Sequence, residues 1–268
     1  MNEDIFVDLG DTRLRCRLDG QPGAPWLVFS NSLMTDLTLW DDQVAAFGTR
    51  YRILRYDQRG HGLSSVPEAA CTFPQLVGDL AALLDHFDIA RASVVGVSMG
   101  GVTALGLAAL HPGRVARAAI CDCQSGSTPA GAAAWDERIA LTEPGGMAAL
   151  VEPTVTRWFL PASVAAGGPA PDRVRKMIAD TPHQGFVRGA RALQDYDFRD
   201  FPARLTCPAA FIVGAGDGAL PEVMRKMADA TSLATFTAIP DSGHLPNIEQ
   251  PERFNEALAA LLATPERT

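Results

Sequence analysis

Short apolar segments alternate with longer amphipathic segments along most of the chain. The apolar segments are WLVFS at 26–30, YRILRY at 51–56, ASVVGV at 92–97, VARAAIC at 115–121, PAAFIVG at 208–214 and LATFTAI at 233–239. Strands that are apolar along nearly their whole length are expected where helices cover both faces of a parallel sheet. The pattern therefore predicts a doubly wound α/β fold with a mostly parallel sheet.

Helical periodicity is clearest over residues 73–87, where apolar residues recur on one face. Thr72 and Gln75 have the spacing of a capping box in front of this segment. A second helix is predicted over 100–110, before Pro112 and Gly113, and a third from about 251 to 262. These helices fall between or after the predicted strands, as a doubly wound fold requires.

The alternation stops between residues 124 and 195. This stretch is rich in Gly, Pro and Ala, and three of its segments have helical character: AWDERIAL, MAALVEPTVTRWFL and PDRVRKMIAD. No part of it has the pattern of a strand. We therefore predict a helical cap over one end of the sheet, formed by 124–195, and an α/β core formed by 1–123 and 196–268.

The charge of the chain excludes some classes of partner. The formal net charge is −8, and no basic stripe is present that would neutralise nucleic-acid phosphates or bind an anionic membrane surface. The N-terminal residues MNEDIFVDLG are acidic where a signal peptide needs a basic start, and no apolar stretch reaches the roughly 18 residues of a membrane span. We expect a soluble, cytoplasmic protein and leave open whether it forms a homo-oligomer.

The five cysteines do not indicate a metal site or a disulfide framework. Their number is odd, and their spacings fit no zinc pattern. We predict that they are buried, reduced thiols, and that the protein uses neither a metal nor another cofactor.

The strand at 92–97 leads into the segment VVGVSMGG, 94–101. Residues 96–100 match the pattern G-x-S-x-G between a predicted strand and a predicted helix. Such a turn presents the serine oxygen at the sheet edge, glycines prevent collisions there, and the helix N-terminus favours developing negative charge. We predict that Ser98 is a nucleophile rather than an ordinary helix cap.

A serine nucleophile needs a base, which a third group orients. In enzymes with this serine motif, the acid and then the histidine follow the serine along the chain. His111, His183 and His244 follow Ser98. His111 ends the helix after the serine and His183 lies in the predicted cap, whereas His244 lies in a loop between the last strand and the last helix. His244 is therefore the predicted base.

Two aspartates compete for the role of the acid. Asp217 follows the strand 208–214, and Asp122 follows the strand 115–121, so both are expected at the same sheet edge. We favour Asp217, because only some enzymes with this motif carry the acid one strand earlier. Asp241 is three residues from His244 and is expected to shape that loop.

The reaction also needs backbone donors for an oxyanion. The Met99 N–H, directly after the nucleophile, is one candidate. The loop after the strand 26–30 begins Asn31-Ser32-Leu33, and the Leu33 N–H is the second candidate.

These motifs together resemble the α/β-hydrolase superfamily, and more narrowly the 3-oxoadipate enol-lactonases. The stretches that carry the resemblance are SNSLMTDLTLWDDQ (30–43), RYDQRGHGLSSVP (55–67), VVGVSMGG (94–101), GGMAALVEPTVTRWF (145–159) and SGHLPNIEQPERF (242–254). The resemblance covers nearly the whole chain and includes the cap. Two stretches depart from it: CDCQSGSTPAG after the strand 115–121, and PHQGFVRGARAL in the cap.

The resemblance implies hydrolysis of a five-membered enol lactone to 3-oxoadipate in the β-ketoadipate pathway, without a cofactor. The substrate carries a carboxylate, for which Arg138 and Arg157 are the predicted binding residues. Trp135, Trp158 and Ser32 complete the predicted substrate-binding set.

Other functions remain open at this point. The principal alternative is a carboxylesterase or a lactonase for another small substrate. Further hypotheses are C–C bond hydrolysis, cofactor-free perhydrolysis and a non-catalytic binding role. A dehalogenase is disfavoured, because its nucleophile would be a carboxylate at position 98.

Overall fold

The computed structural model describes residues 3–266 of the chain. The strands in this range are β1 (Ile5–Asp8), β2 (Arg13–Gly20), β3 (Trp26–Ser30), β4 (Arg52–Tyr56), β5 (Ala92–Val97), β6 (Val115–Cys121), β7 (Ala209–Gly214) and β8 (Ala234–Ile239). They form one sheet in the order β1-β2-β4-β3-β5-β6-β7-β8. Strands β3 to β8 match the six predicted strands to within one residue and pair in parallel. The predicted mostly parallel sheet is confirmed.

Strands β1 and β2 were not among the predicted strands. Strand β1 is the edge strand and pairs with β2, and β2 pairs with β4 on its other side; both pairings are antiparallel. Charged residues alternate along β2, where Arg13, Arg15 and Arg17 occupy every second position. A strand in an antiparallel part of a sheet need not be apolar on both faces, so a search for continuous apolar segments does not detect it.

The helices within 3–266 are α1 (Asp41–Phe47), α2 (Phe73–His86), α3 (Met99–Leu110), α4 (Pro129–Gly145), α5 (Ala148–Trp158), α6 (Pro161–Ala166), α7 (Pro169–Asp180), α8 (His183–Gln194), α9 (Phe201–Arg204), α10 (Leu220–Asp229), α11 (Pro246–Glu249) and α12 (Pro251–Leu262). The predicted capping box of Thr72 and Gln75 begins α2. Helix α3 packs on β5 and β6, and α12 packs against β6, β7 and β8. Every residue of β5 and β7 is buried, as expected for strands covered on both faces.

Helices α4 to α8 lie between β6 and β7, in the segment predicted to be helical. Helix α4 packs against α5 and α8, and α5 packs against α7. An isolated antiparallel bridge between Gly126 and Asp197 joins the two ends of this insertion. The division of the chain into a core and a cap stays a prediction, and we use "insertion" for α4–α8 below.

Two other expectations concern the cysteines and membrane-spanning helices. All five cysteines are free and buried, as predicted. None of the helices within 3–266 has both the length and the apolar character that a membrane span requires.

Candidate active site

Ser98 occupies the sharp turn between β5 and α3. Its φ of 56° and ψ of −117° lie in a region that residues other than glycine rarely adopt. Its backbone N–H donates a 2.8 Å hydrogen bond to the Cys121 carbonyl, which holds the turn against β6. A Cβ at Gly96 would lie 2.0 Å from the Gly100 carbonyl oxygen, and one at Gly100 would lie 2.1 Å from the Ser30 oxygen. Both glycines are therefore required by close packing of the backbone.

Ser98 lines a cavity of about 430 Å³ at the carboxyl ends of the strands. The core contributes Asp122 after β6, Asp217 after β7 and His244 after β8. The insertion contributes Trp135, Arg138, Arg157 and Leu193. The structure thus brings the predicted nucleophile, base and both candidate acids to one cavity, which the insertion covers.

His244 and Asp217 form a hydrogen-bonded pair. The distance between His244 Nδ1 and Asp217 Oδ2 is 2.6 Å, and His244 is only 5% exposed. Burial alone would raise the pKa of Asp217, but His244 and Arg157 outweigh it and hold that pKa below its usual value. An ionised carboxylate only accepts hydrogen bonds, so Nδ1 carries the hydrogen and Nε2 is left with a lone pair.

Asp122 lies beside this pair but does not hydrogen-bond to His244. Its Oδ1 accepts a 2.8 Å hydrogen bond from the Gly214 N–H. Burial, and then the charge of Asp217, raise the pKa of Asp122 well above its usual value. The imidazole is thus hydrogen-bonded to Asp217 and not to Asp122, and the choice of Asp217 as the catalytic acid stays a prediction.

The two predicted oxyanion donors come from neighbouring segments. Within residues 3–266, neither the Leu33 nor the Met99 backbone N–H donates a hydrogen bond to another backbone group. The side chains of both pack at Gly189 of α8, where an added Cβ would lie 2.5 Å from Leu33 Cδ1 and 3.6 Å from Met99 Sδ. Asn31 braces the loop, since its side chain donates to the Tyr56 carbonyl and accepts from Trp40 Nε1.

Arg138 and Arg157 bring positive charge to the cavity. The Arg138 guanidinium lies 4.4 Å from the centre of the Trp135 ring. Burial by the surrounding protein, and then the charge of Arg138, lower the pKa of Arg157 to about 10, against the opposing effect of Asp217. Both side chains remain accessible to water. Two arginines that share a water-accessible cavity can bind an anionic group.

Trp158 and Ser32 lie outside the set of residues that line this cavity. Trp158 is buried, with its ring centre 5.4 Å from that of His244, and its carbonyl accepts the His244 N–H at 2.7 Å. Consecutive helical residues point about 100° apart, so Arg157 and Trp158 of α5 face different surroundings. Ser32 is also fully buried. Leu33 and Met99 also lie outside that set. Contact of Trp158 and Ser32 with the substrate stays a prediction, and Trp158 packs against the imidazole.

Glu249 is a residue of the site that our sequence analysis did not identify. Its Oε2 accepts the Gly243 N–H at 2.7 Å, directly before His244. Its Oε1 accepts the Leu160 N–H at 3.0 Å and the Ser163 hydroxyl. Glu249 thus ties the His244 loop to the insertion. The only sequence signal was a carboxylate six residues after Gly243, which has no recognisable pattern.

Residues 22–257 match the alpha/beta hydrolase family. Two 3-oxoadipate enol-lactonases of Acinetobacter baylyi are similar to the chain: enol-lactonase 1 is 35% identical over 90% of either chain, and enol-lactonase 2 is 31% identical over 94% of either chain. The crystal structure of the enol-lactonase from Burkholderia xenovorans LB400 superimposes with a TM-score of 0.92 and 34% identity, covering 97% of this chain and 100% of that one.

Proposed function

Because the chain belongs to the alpha/beta hydrolase family and is a hydrolase acting on ester bonds, we propose that it opens 3-oxoadipate enol-lactone through an acyl-serine intermediate. The observation that carries the proposal is one cavity lined by Ser98 and by the hydrogen-bonded Asp217–His244 pair. The names of the similar enzymes supply the substrate class. A cytoplasmic location and a role in the β-ketoadipate pathway are parts of the same proposal.

Acylation begins when Ser98 Oγ attacks the lactone carbonyl carbon. His244 Nε2 accepts the hydroxyl proton, and Asp217 stabilises the resulting imidazolium. The carbonyl oxygen becomes an oxyanion, for which the N–H groups of Leu33 and Met99 are the proposed donors. Their lack of backbone hydrogen-bond acceptors supports this assignment, since a pre-arranged donor needs no rearrangement to bind the oxyanion.

Collapse of the tetrahedral intermediate breaks the ring C–O bond. The leaving group departs as an enolate, or as an enol if His244 returns its proton to the oxygen. Protonation at carbon gives the ketone, and the proton held by His244 leaves with the product, so His244 is again neutral. An enol leaves more easily than an alkoxide, so protonation of the leaving group matters less than in the cleavage of an alkyl ester. Water, deprotonated by His244, then attacks the acyl carbon and releases Ser98 and the open-chain acid.

The proposed substrate carries a free carboxylate, and the insertion supplies cations for it. Arg138 and Arg157 line the same cavity as Ser98. Within residues 3–266, Arg138 packs over the Trp135 ring and Arg157 interacts with Asp217 through charge, and neither guanidinium forms a hydrogen bond to a carboxylate. Their guanidinium groups are therefore available to the ligand.

A second candidate function is hydrolysis of another small ester or lactone. The segment after β6 departs from the enol-lactonase pattern, and Asp122, Cys123 and Gln124 of that segment line the cavity. A change at these positions alters the shape and polarity of the pocket but not the nucleophile.

Comparison of substrates tests the proposal. Purified protein is assayed with 3-oxoadipate enol-lactone, dihydrocoumarin and p-nitrophenyl acetate under the same conditions. We expect the highest kcat/KM for the enol lactone. A higher value for dihydrocoumarin or for the acetate would favour the second candidate function. No hydrolysis of any of them, together with no labelling by a fluorophosphonate, would contradict the serine mechanism.

A further inference from the structure

Asp122 is a second buried carboxyl group beside the Asp217–His244 pair, and the mechanism above gives it no task. It follows β6 directly and is 0% exposed. Its φ of 44° directs the chain through a left-handed turn at the sheet edge. One carboxylate oxygen of Asp122, one of Asp217 and one ring nitrogen of His244 all lie within 4.8 Å of one another.

The two oxygens of Asp122 have different surroundings. Oδ1 accepts the hydrogen bond from Gly214, whereas Oδ2 is buried and has no hydrogen-bond partner within the described residues. An ionised oxygen buried without a donor carries a large desolvation penalty. A protonated oxygen at the same position becomes a donor, and the nearby carboxylate of Asp217 is an acceptor.

Asp122 is buried and Asp217 is partly buried. A negative charge on one of two carboxyl groups this close opposes ionisation of the other, which favours retention of a proton by one of them. Asp217 faces His244 and is also stabilised by the charge of Arg157. The other titratable neighbours of Asp122 are the thiols of Cys121 and Cys123 on either side of it in the chain. The groups that favour an ionised carboxylate, His244 and Arg157, thus interact with Asp217. We therefore assign the retained proton to Asp122.

We propose that Asp122 is a neutral acid that donates its carboxyl hydrogen to Asp217 and so acts as a positioning residue for the Asp217–His244 pair. This inference rests on the proposed function of that pair. Donation holds the Asp217 carboxylate in line with His244 Nδ1 without adding charge to the buried site. It also spreads the negative charge of Asp217, which limits how strongly the imidazole is held in its protonated form.

Two substitutions separate this role from simple packing. Asp122→Asn reproduces the neutral acid, because the amide oxygen accepts the Gly214 N–H and the amide nitrogen donates to Asp217. Asparagine also tolerates the left-handed backbone at this position. Asp122→Gly tolerates the same backbone but removes the donor.

We expect Asp122→Gly to lower kcat/KM by about tenfold or more, the effect of losing a hydrogen bond to a charged group. We expect Asp122→Asn to keep most of the wild-type kcat/KM. In the glycine variant, the acid limb of the kcat/KM profile moves to higher pH, since Asp217 is then a stronger partner of the imidazolium. In the asparagine variant it stays in place. A loss in Asp122→Asn as large as that of Asp217→Asn would overturn the proposal and make Asp122 an ionised participant.

Two measurements do not depend on catalysis. The infrared spectrum of the wild-type protein at neutral pH is expected to contain the C=O stretch of a protonated carboxyl that is missing in Asp122→Asn.

The second measurement is the pH dependence of Tm. A carboxyl whose pKa is raised in the folded state stabilises that state fully only below its unfolded value of about 4, and this contribution is lost as the pH rises. The Tm of Asp122→Asn relative to that of the wild type therefore rises as the pH increases above about 4.

Absence of the infrared difference, or a Tm difference that does not change with pH, would overturn the proposal. These outcomes are distinguishable from failure of the proposed function, which fluorophosphonate labelling of Ser98 tests separately. A protein that is not labelled but shows the infrared band has the neutral acid without the serine chemistry.

Discussion

Ser98 and Asp122 each follow a parallel strand directly, and each has a left-handed backbone. The φ values are 56° and 44°, in a region that costs about 1–3 kcal/mol for a residue other than glycine. The turn of Ser98 brings its side chain to the cavity, while that of Asp122 brings a carboxyl group beside Asp217. Packing on the neighbouring strands compensates for this cost, since Ser98 N–H and Asp122 N–H bond to the carbonyls of Cys121 and Ile212.

Replacement of the nucleophile is the most direct prediction at this scale. We expect Ser98→Ala to lower kcat by about 10⁴-fold or more, because removal of one member disables the whole unit. Steady-state kinetics measures the loss, and an unchanged circular dichroism spectrum is the control for folding. Retention of more than a few per cent of the activity would contradict the assignment.

Replacement of the acid distinguishes Asp217 from its rival. Asp217→Asn removes the negative charge that faces His244 Nδ1 and favours the wrong tautomer, so kcat is expected to fall by about 10³- to 10⁴-fold with little change in KM. The comparison variant is Asp122→Asn, for which the expected change in kcat is small. If the ranking of the two variants is reversed, the acid lies after β6 instead of β7.

At the scale of secondary-structure elements, the loop between β8 and α11 depends on contacts with the insertion. The His244 N–H is bound by the Trp158 carbonyl at the end of α5, and Glu249 of α11 binds both Gly243 and Leu160. The position of the imidazole is therefore set by two elements that are distant in sequence. An insertion that covers the cavity also helps to hold the proposed base.

Substitution of Glu249 tests this connection. We expect Glu249→Ala to lower kcat by about tenfold, because two backbone donors lose a charged acceptor, and to leave KM for a small neutral ester nearly unchanged. Glu249→Gln is expected to behave similarly, since its amide nitrogen faces a second donor. The exposed Glu252 at the start of α12 offers a matched control as Glu252→Ala. Equal kcat values for the Glu249 and Glu252 variants would contradict a positioning role.

At the scale of the whole molecule, the net charge of the protein and the charge of the proposed substrate are both negative. The net charge of −8 gives no long-range attraction for the proposed anionic lactone, so its binding would depend on local donors to the carboxylate. Arg138 and Arg157 supply positive charge at the cavity. The fold itself is that of the alpha/beta hydrolase family, with a mostly parallel sheet and a structural neighbour at a TM-score of 0.92.

The arginines predict a difference between substrates. Arg138→Ala or Arg157→Ala is expected to lower kcat/KM for the carboxylate-bearing enol lactone by roughly ten- to a hundred-fold, the worth of a charge-assisted hydrogen bond. Activity on neutral p-nitrophenyl acetate should change little. Arg191→Ala is the control, because Arg191 of α8 pairs with Asp136 and does not line the cavity. Equal losses on both substrates would instead indicate a role in folding of the insertion.

Much of the fold follows from local pattern. Strands β3 to β8 are apolar because both faces of a parallel sheet are covered, and this pattern is visible residue by residue. The sharp turn at Ser98 could be predicted because the glycines and the strand–helix transition lie next to it in the chain. Strands β1 and β2 were not predicted because polar residues alternate along β2, a pattern that an antiparallel pairing allows, and only the pairing with β4 shows that they extend the sheet.

The sequence by itself determined the parallel sheet, the position of Ser98 in its turn and the placement of Asp217 and His244 after later strands, because each depends on short-range periodicity or on a local motif. Only the tertiary structure decided that His244 bonds to Asp217 while Asp122 lies beside them, and that Trp158 packs behind the imidazole instead of lining the cavity. The physical reason is that strand ends far apart in the chain meet at one sheet edge. Contacts of a few ångströms there depend on the register of the strands and on the rotation of each helix, which no local pattern specifies.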